Sequence, residues 1–160
     1  MKVLVVSDTH GINQNYVEVL EVEKNLDMII HLGDLCGLEH NIANMSPCPV
    51  HYVAGNCDYG VTPTEKVVEI DGKIAYLTHG NKQRVGLTLQ RLENDVKKHN
   101  AYIGFFGHTH TPVIEYGNGV VMVNPGSLAQ PRQAGHQPSY IIMDTNNGGE
   151  PIFEIKYLSW

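Results

Sequence analysis

A chain of 160 residues is long enough for one domain, over residues 1–160, that buries roughly 68–70% of the surface its unfolded form exposes. Charged residues make up 18%, and 11 Lys and Arg against 17 Asp and Glu leave a net charge of −6. That balance excludes nonspecific grip on DNA or RNA, which needs Lys and Arg over the phosphates; any phosphate chemistry has to work through bound cations.

The N-terminal stretch MKVLVVSDTH holds an apolar run too short for a signal-peptide core, with no small-residue cleavage site after it. No apolar run reaches the ~18 residues of a membrane span. Cys36, Cys48 and Cys57 are odd in number and form no C-x-x-C, which argues against a disulfide framework or a Cys-rich structural zinc site. A cytoplasmic, reduced protein is expected. The nine His stand out, nearly matching Lys and Arg together.

Val3 to Val6 is a continuous apolar run, the pattern of a strand covered on both faces. Tyr16, Val19, Val22 and Leu26 recur at helical spacing and predict a first helix near 13–25. Met28 to Ile30 and Val50 to Val53 predict two more buried strands, giving a β-α-β-β order and a mostly parallel sheet. Asp71-Gly72 between Lys66–Ile70 and Lys73–Leu77 signals a hairpin. Val85, Leu89, Leu92 and Val96 mark a second helix ending in the cationic Lys97-Lys98-His99. Ala101–Phe106, Pro112–Tyr116, Val120–Val123, Tyr140–Asp144 and Ile152–Leu158 then read as strands. One mixed α/β domain with two sheets accounts for this order. The apolar end of the chain (Ile152, Phe153, Ile155, Tyr157, Leu158, Trp160) either completes the core as an edge strand or meets another copy in a homo-oligomer.

The strands end in polar punctuation: Ser7-Asp8-Thr9-His10, Gly33-Asp34, Gly55-Asn56-Cys57-Asp58, Thr78-His79-Gly80 and Gly107-His108-Thr109-His110. Carboxyl ends of strands form the ligand crevice of open α/β sheets. Residues i and i+2 of an extended chain project to one side, so Asp8 with His10, and His108 with His110, can converge. Any one of these clusters occurs by chance as a capped turn. Five of them at strand ends, with Gly at the bends, do not. Carboxylate, amide and imidazole suit Mn²⁺, Fe²⁺, Ni²⁺, Co²⁺ or Zn²⁺, whereas four His are too many for a dedicated Mg²⁺ or Ca²⁺ site. Seven donors exceed what one ion takes and fit two ions ~3.5–4 Å apart.

The succession D-x-H, G-D, G-N-x-D, H-G, G-H-x-H resembles the calcineurin-like metallophosphoesterases, and among them the small YfcE-like phosphodiesterase branch. The likeness runs from Lys2 to about Arg132 and includes Asn124-Pro125-Gly126-Ser127. It implies a four-layer α/β/β/α sandwich of two mixed sheets with a binuclear metal centre at its edge. By motif, Asp8, His10 and His110 are implied ligands of one cation, Asn56, His79 and His108 of the other, and Asp34 is the bridge. The implied activity is a phosphodiesterase, in which a hydroxide between two divalent ions, foremost Mn²⁺ or Ni²⁺, attacks a small or nucleotide-like phosphate ester. Asn56, His79 and Asp34 are thereby the implied catalytic groups, with Cys57 and Asp58 weaker candidates.

Much of the wider family carries His at the place of Cys57, where it is credited with protonating the leaving group; the YfcE-like branch commonly has Cys. No base is paired with Cys57 in the motif, so a nucleophilic role is disfavoured; metal ligation is open, and a space-filling role leads. Asn81 stands where the family often has a second His. Lys82, Arg84 and Ser127 are weak candidates for substrate contact. A metallo-β-lactamase motif H-x-H-x-D-H is missing, because Thr111-Pro112 follows His110, and there is no G-x-S-x-G. The competing reading is a non-catalytic scaffold, as in the retromer subunit of the same fold, which has lost part of this ligand set.

Overall fold

The computed structural model describes residues 1–159. The elements are β1 (Lys2–Val6), α1 (Gln14–Val22), β2 (Met28–His31), α2 (Glu39–Met45), β3 (Val50–Tyr52), β4 (Glu65–Ile70), β5 (Lys73–Thr78), α3 (Gln90–Lys98), β6 (Ile103–Phe105), β7 (Val113–Gly117), β8 (Val120–Asn124), β9 (Ser139–Asp144) and β10 (Ile152–Tyr157).

They build two five-stranded sheets, in the orders β10-β9-β1-β2-β3 and β4-β5-β6-β8-β7. Both sheets are mixed, as the resemblance implies, and each is built on a parallel core of three strands. Strands β1, β2 and β3 are parallel, as are β5, β6 and β8, but β9, β10, β4 and β7 join antiparallel. Short hairpin connections allow antiparallel neighbours, and parallel pairs need crossovers. The Asp71-Gly72 turn has both residues at positive φ (49° and 84°), the geometry that matches hairpin twist.

Alternate residues of the strands divide between two faces, and the core divides with them. Val3, Val5, Ile30, Leu77, Phe105, Val123 and Ile141 fill the space between the sheets. Leu4, Val6 and Ile29 turn outwards to meet Tyr16 and Val19 of α1 and Ile42 of α2. Tyr76 and Met122 meet Leu92 and Val96 of α3 on the opposite side. The layers therefore run helix, sheet, sheet, helix.

Helix α2 is absent from the sequence-based order because its seven residues bury only Ile42 and carry no helical stripe. Helix α3 begins at Gln90 rather than near Val85: Arg84 takes φ 53°, and Val85 and Leu89 pack against the helix face from turns. At the chain end β10 is an edge strand with Phe153 and Ile155 packed on the inter-sheet core, while Ile152 and Tyr157 stay exposed. Trp160 lies outside the described residues. No helix among the described residues is long and apolar enough to cross a membrane.

Candidate metal centre

Because β1, β2 and β3 run parallel in one sheet and β5 and β6 in the other, their carboxyl ends can meet along one edge of the sandwich. Bonds within one sheet and between the two hold them there. The Gly107 amide donates to His79 O at 2.9 Å, the His108 amide to Asp8 Oδ2 at 3.1 Å, and His79 Nδ1 lies 2.6 Å from Leu32 O. Close approach is what the glycines supply: a Cβ on Gly55 would strike Asp34 Oδ1, and one on Gly107 would strike Ser7 Oγ.

The paired residues do not converge through an extended chain. Asp8, His10, Asp34, His108 and His110 take φ values of 55°, 46°, 55°, 70° and 59°, the left-handed region that side chains rarely occupy. The convergence is made by left-handed turns braced by neighbours, as strained backbone at functional sites commonly is. The Asp8 amide donates to Gly33 O and the His10 amide to Asp34 O, at 3.0 and 2.9 Å, so the two turns run side by side.

Asp8, His10, Asp34 and His110 offer ligand atoms all within 4.8 Å of one another. His110 Nε2 lies 3.2 Å from Asp8 Oδ1 and 3.2 Å from His10 Nε2. On the other flank His79 Nε2 is 3.4 Å from Asp34 Oδ2, and the His79 and His108 rings meet edge-on with centroids 5.2 Å apart. His108 Nδ1 in turn sits 3.1 Å from Asn56 Oδ1. All seven residues singled out by motif thus lie in one continuous set.

Each carboxylate is divided in use. Asp8 Oδ2 accepts from Ser7 Oγ at 2.6 Å and from the His108 amide, and Asp34 Oδ1 accepts the Cys57 amide at 2.9 Å. Their other oxygens face the imidazoles. Burial opposes ionisation of Asp8, but His10, His110, the charge of His79 and Ser7 outweigh it and hold the carboxyl well below the usual range. Burial likewise opposes ionisation of Asp34, and His79 with the Cys57 amide outweighs it. His10 is raised chiefly by the Asp8 carboxylate 3.7 Å away, and His79 by Asp34 and Asp8 against burial. His108 is lowered by burial and by His79.

Asp8 Oδ1 and His79 Nε2 are buried atoms without any hydrogen-bond partner. Buried polar atoms are partnered in the great majority of cases, so such orphans call for an ion. With His79 Nδ1 on Leu32 O and His110 Nδ1 on Gln130 O (2.7 Å), both rings present Nε2 to the shared space, the arrangement common around metal-ligating His. The donor set fits divalent cations.

The fit is matched by likeness. The calcineurin-like phosphoesterase superfamily domain matches residues 1–148. The chain belongs to the calcineurin-like phosphoesterase superfamily. It is 32% identical over 154 residues to the probable metallophosphoesterase YsnB of Bacillus subtilis, covering 95% of this chain and 89% of the relative. It is 28% identical over 173 residues to the phosphodiesterase YfcE of Escherichia coli, covering 91% and 89%. A Streptococcus pneumoniae structure described as a conserved phosphoesterase-like protein superposes with a TM-score of 0.81 at 25% identity, over 99% of this chain and 88% of the other.

Among the weaker candidates, Asp58 is buried and fully occupied: Oδ2 accepts the Gly55 amide at 2.8 Å and Oδ1 the Cys36 amide at 2.7 Å. Cys57 is half-buried, and burial together with the Asp34 carboxylate pushes its thiol up, which opposes thiolate formation by the protein's own charges. Ser127 is not a substrate contact. It is fully buried, donating to Asp8 O at 2.8 Å and accepting the Ala129 and Gln130 amides. Lys82 donates to Thr64 Oγ1, and Arg84 lies exposed on the turns before α3.

Several supporting residues escaped the motif reading. His31 is buried and neutral, its pKa pushed down to about 4 by burial; Nδ1 accepts the Gly33 amide, leaving Nε2 for Thr9 Oγ1 at 3.1 Å. Asn124 donates to Gly107 O and Thr109 Oγ1, bracing the turn that carries His108 and His110. Cys36 Sγ lies 4.0 Å from His10 Nδ1. Two of these carried a signal: Cys36 in its position two residues after Asp34, and Asn124 in the Asn124-Pro125-Gly126-Ser127 turn of the family likeness.

Proposed function

We propose that this metallophosphoesterase hydrolyses small phosphate diesters, nucleotide-like ones included, as a single calcineurin-like domain in the cytoplasm. In this reading Asp8, His10 and His110 hold one divalent cation, Asn56, His79 and His108 a second, and Asp34 lies between them. The observation that carries it is the pair of buried orphans, Asp8 Oδ1 and His79 Nε2, facing the same cage. Imidazole, carboxylate and amide donors together favour Mn²⁺ or Ni²⁺, with Zn²⁺, Fe²⁺ and Co²⁺ compatible. Such cations supply Lewis acidity to phosphoryl oxygens and acidify water towards neutrality.

The protein's own part is placement. Leu32 O and Gln130 O fix the His79 and His110 rings, and Ser7 fixes Asp8. The Asn56 side chain is exposed at the mouth, where its amide can meet a phosphoryl oxygen. The open mouth suits small esters, and the name of YfcE favours diesters. Three free thiols agree with a reducing compartment.

With Cys57 in place of a histidine, no imidazole stands ready to protonate the leaving group. The enzyme therefore favours esters with acidic leaving groups, or lets water protonate them. Cys57→His should raise turnover of poor leaving groups by up to ~10²-fold, the lower end of general-acid catalysis, and flatten the dependence on leaving-group pKa. An unchanged dependence contradicts this.

The function itself is tested by metal-stripped protein re-supplied with Mn²⁺, Ni²⁺, Zn²⁺ or Mg²⁺ and given a chromogenic diester beside its monoester. Metal-dependent turnover with the diester preferred is expected. Two bound ions without turnover of either would move the account to the scaffold reading.

A further inference from the structure

Three short segments at this edge share one backbone form: Asp8-Thr9-His10, Asp34-Leu35-Cys36 and His108-Thr109-His110 each place both outer residues at positive φ. In the first and third, the outer residues are all donors of the metal centre. The second has the same form, runs beside the first through the His10 amide on Asp34 O and the Gly11 amide on Leu35 O, and ends in a thiol.

That thiol has company. His10, Cys36 and Cys57 offer ligand atoms all within 4.8 Å of one another. His79 and His110 direct Nδ1 at backbone carbonyls, but Nδ1 of His10 faces Cys36 Sγ at 4.0 Å. Zinc bonds of about 2.3 Å to sulfur and 2.1 Å to nitrogen, at the tetrahedral angle, set the two donors about 3.6 Å apart. Small side-chain adjustments close that difference. Asp58 holds the two cysteine-bearing loops together, taking the Cys36 amide on one oxygen and the Gly55 amide on the other. The Cys57 amide is fixed on Asp34 Oδ1.

We propose that His10 Nδ1, Cys36 Sγ and Cys57 Sγ form a separate site for one thiophilic divalent cation of the zinc class, sharing His10 with the two-metal centre. The ligand set is two thiolates and one imidazole, with the exposed Cys36 side leaving a fourth position to water. Two thiol protons leave as the ion binds. A neutral imidazole lends one lone pair. With Nδ1 on this cation, Nε2 carries the ring's proton and turns from ligand to donor towards Asp8 or Asp34. Filling the thiolate site thus withdraws a ligand from the two-metal centre, and thiophilic ions weaken the binding of harder ones such as Mn²⁺.

The test is titration of the metal-stripped, fully reduced chain with Co²⁺, read by sulfur-to-cobalt charge-transfer absorption, with each of the three cysteines changed to Ser in turn. The band is expected in the native chain and in Cys48→Ser, and is expected to be lost in Cys36→Ser and Cys57→Ser. Zn²⁺ competes with Mn²⁺ at the two-metal centre in either chain, and should weaken Mn²⁺ binding on the order of 10-fold more in the native chain than in Cys36→Ser. Alkylation of the native chain, mapped by mass spectrometry, needs no variant: Zn²⁺ should protect Cys36 and Cys57 but not Cys48. No charge-transfer band in the native chain, a band that survives in Cys36→Ser, or equal alkylation of the three thiols with Zn²⁺ present would each overturn the site. The charge-transfer and alkylation outcomes do not bear on diester hydrolysis, so on them this proposal fails or stands apart from the activity.

Discussion

Two of the places where this molecule buries a carboxylate treat it in opposite ways. Glu23, where the chain leaves α1, receives Lys156 Nζ at 2.6 Å and Tyr140 OH at 2.9 Å on one oxygen and Lys2 Nζ at 2.9 Å on the other. Its charge is answered by the chain itself, which ties the helix end to β1, β9 and β10. At the metal centre Asp8 and Asp34 each give one oxygen to protein donors and leave the other facing imidazoles. Burying an unanswered charge is costly, so the first arrangement is complete in the chain and the second is complete only with cations.

The comparison breaks most sharply at Asp8. Asp8→Asn should cost about 10³-fold or more in metal-dependent turnover, since the Lewis-acid contribution is worth several kcal/mol. It should also shrink the rise in melting temperature that metal gives the native chain, a rise that linkage requires of any ligand bound only by the folded form. Asn124→Ala loosens the turn bearing His108 and His110 and should weaken metal binding by roughly 10–100-fold, measured by calorimetry, with the fold intact. Glu23→Gln acts the other way: about 1–3 kcal/mol of stability lost in denaturant unfolding, with metal affinity unchanged.

Acid separates the two regions further. Glu23 is held below its usual pKa because Lys156, Lys2 and Tyr140 outweigh burial. A depressed carboxylate stabilises the fold above its unfolded pKa, about 4.3, and this contribution fades as pH falls through the folded value. The native chain should therefore lose more stability than Glu23→Gln on acidification below about pH 4. At the metal centre the competing proton sits on His10 and His79, both raised by Asp8 and Asp34. Metal affinity should fall from about pH 8 to about pH 6, a range in which Glu23 does not titrate.

The site was more legible than the scaffold around it, because ligand residues must stand in fixed order at strand ends whatever packs behind them. D-x-H, G-D, G-N, H-G and G-H-x-H marked by residue type the side chains that the fold gathers at one edge. The backbone that gathers them did not, since nothing in Asp8-Thr9-His10 distinguishes an extended pair from two left-handed residues. Helix α2 hid because a surface helix that buries only Ile42 leaves no periodic trace, and α3 was read too long because Val85 and Leu89 keep helical spacing while lying in turns. Asn124 to Ser127 reads from sequence as a turn within the family likeness, with Ser127 a candidate substrate contact; only the fold reveals that the polar atoms of Ser127 and Asn124 brace the loops of the candidate centre.

The most direct test of the account is calorimetric titration of the metal-stripped chain with Mn²⁺, run beside Asp8→Asn. The account predicts two Mn²⁺ per native chain, with proton release that grows as pH falls, and loss of at least one of them in the variant. Native-like Mn²⁺ binding by Asp8→Asn would contradict it.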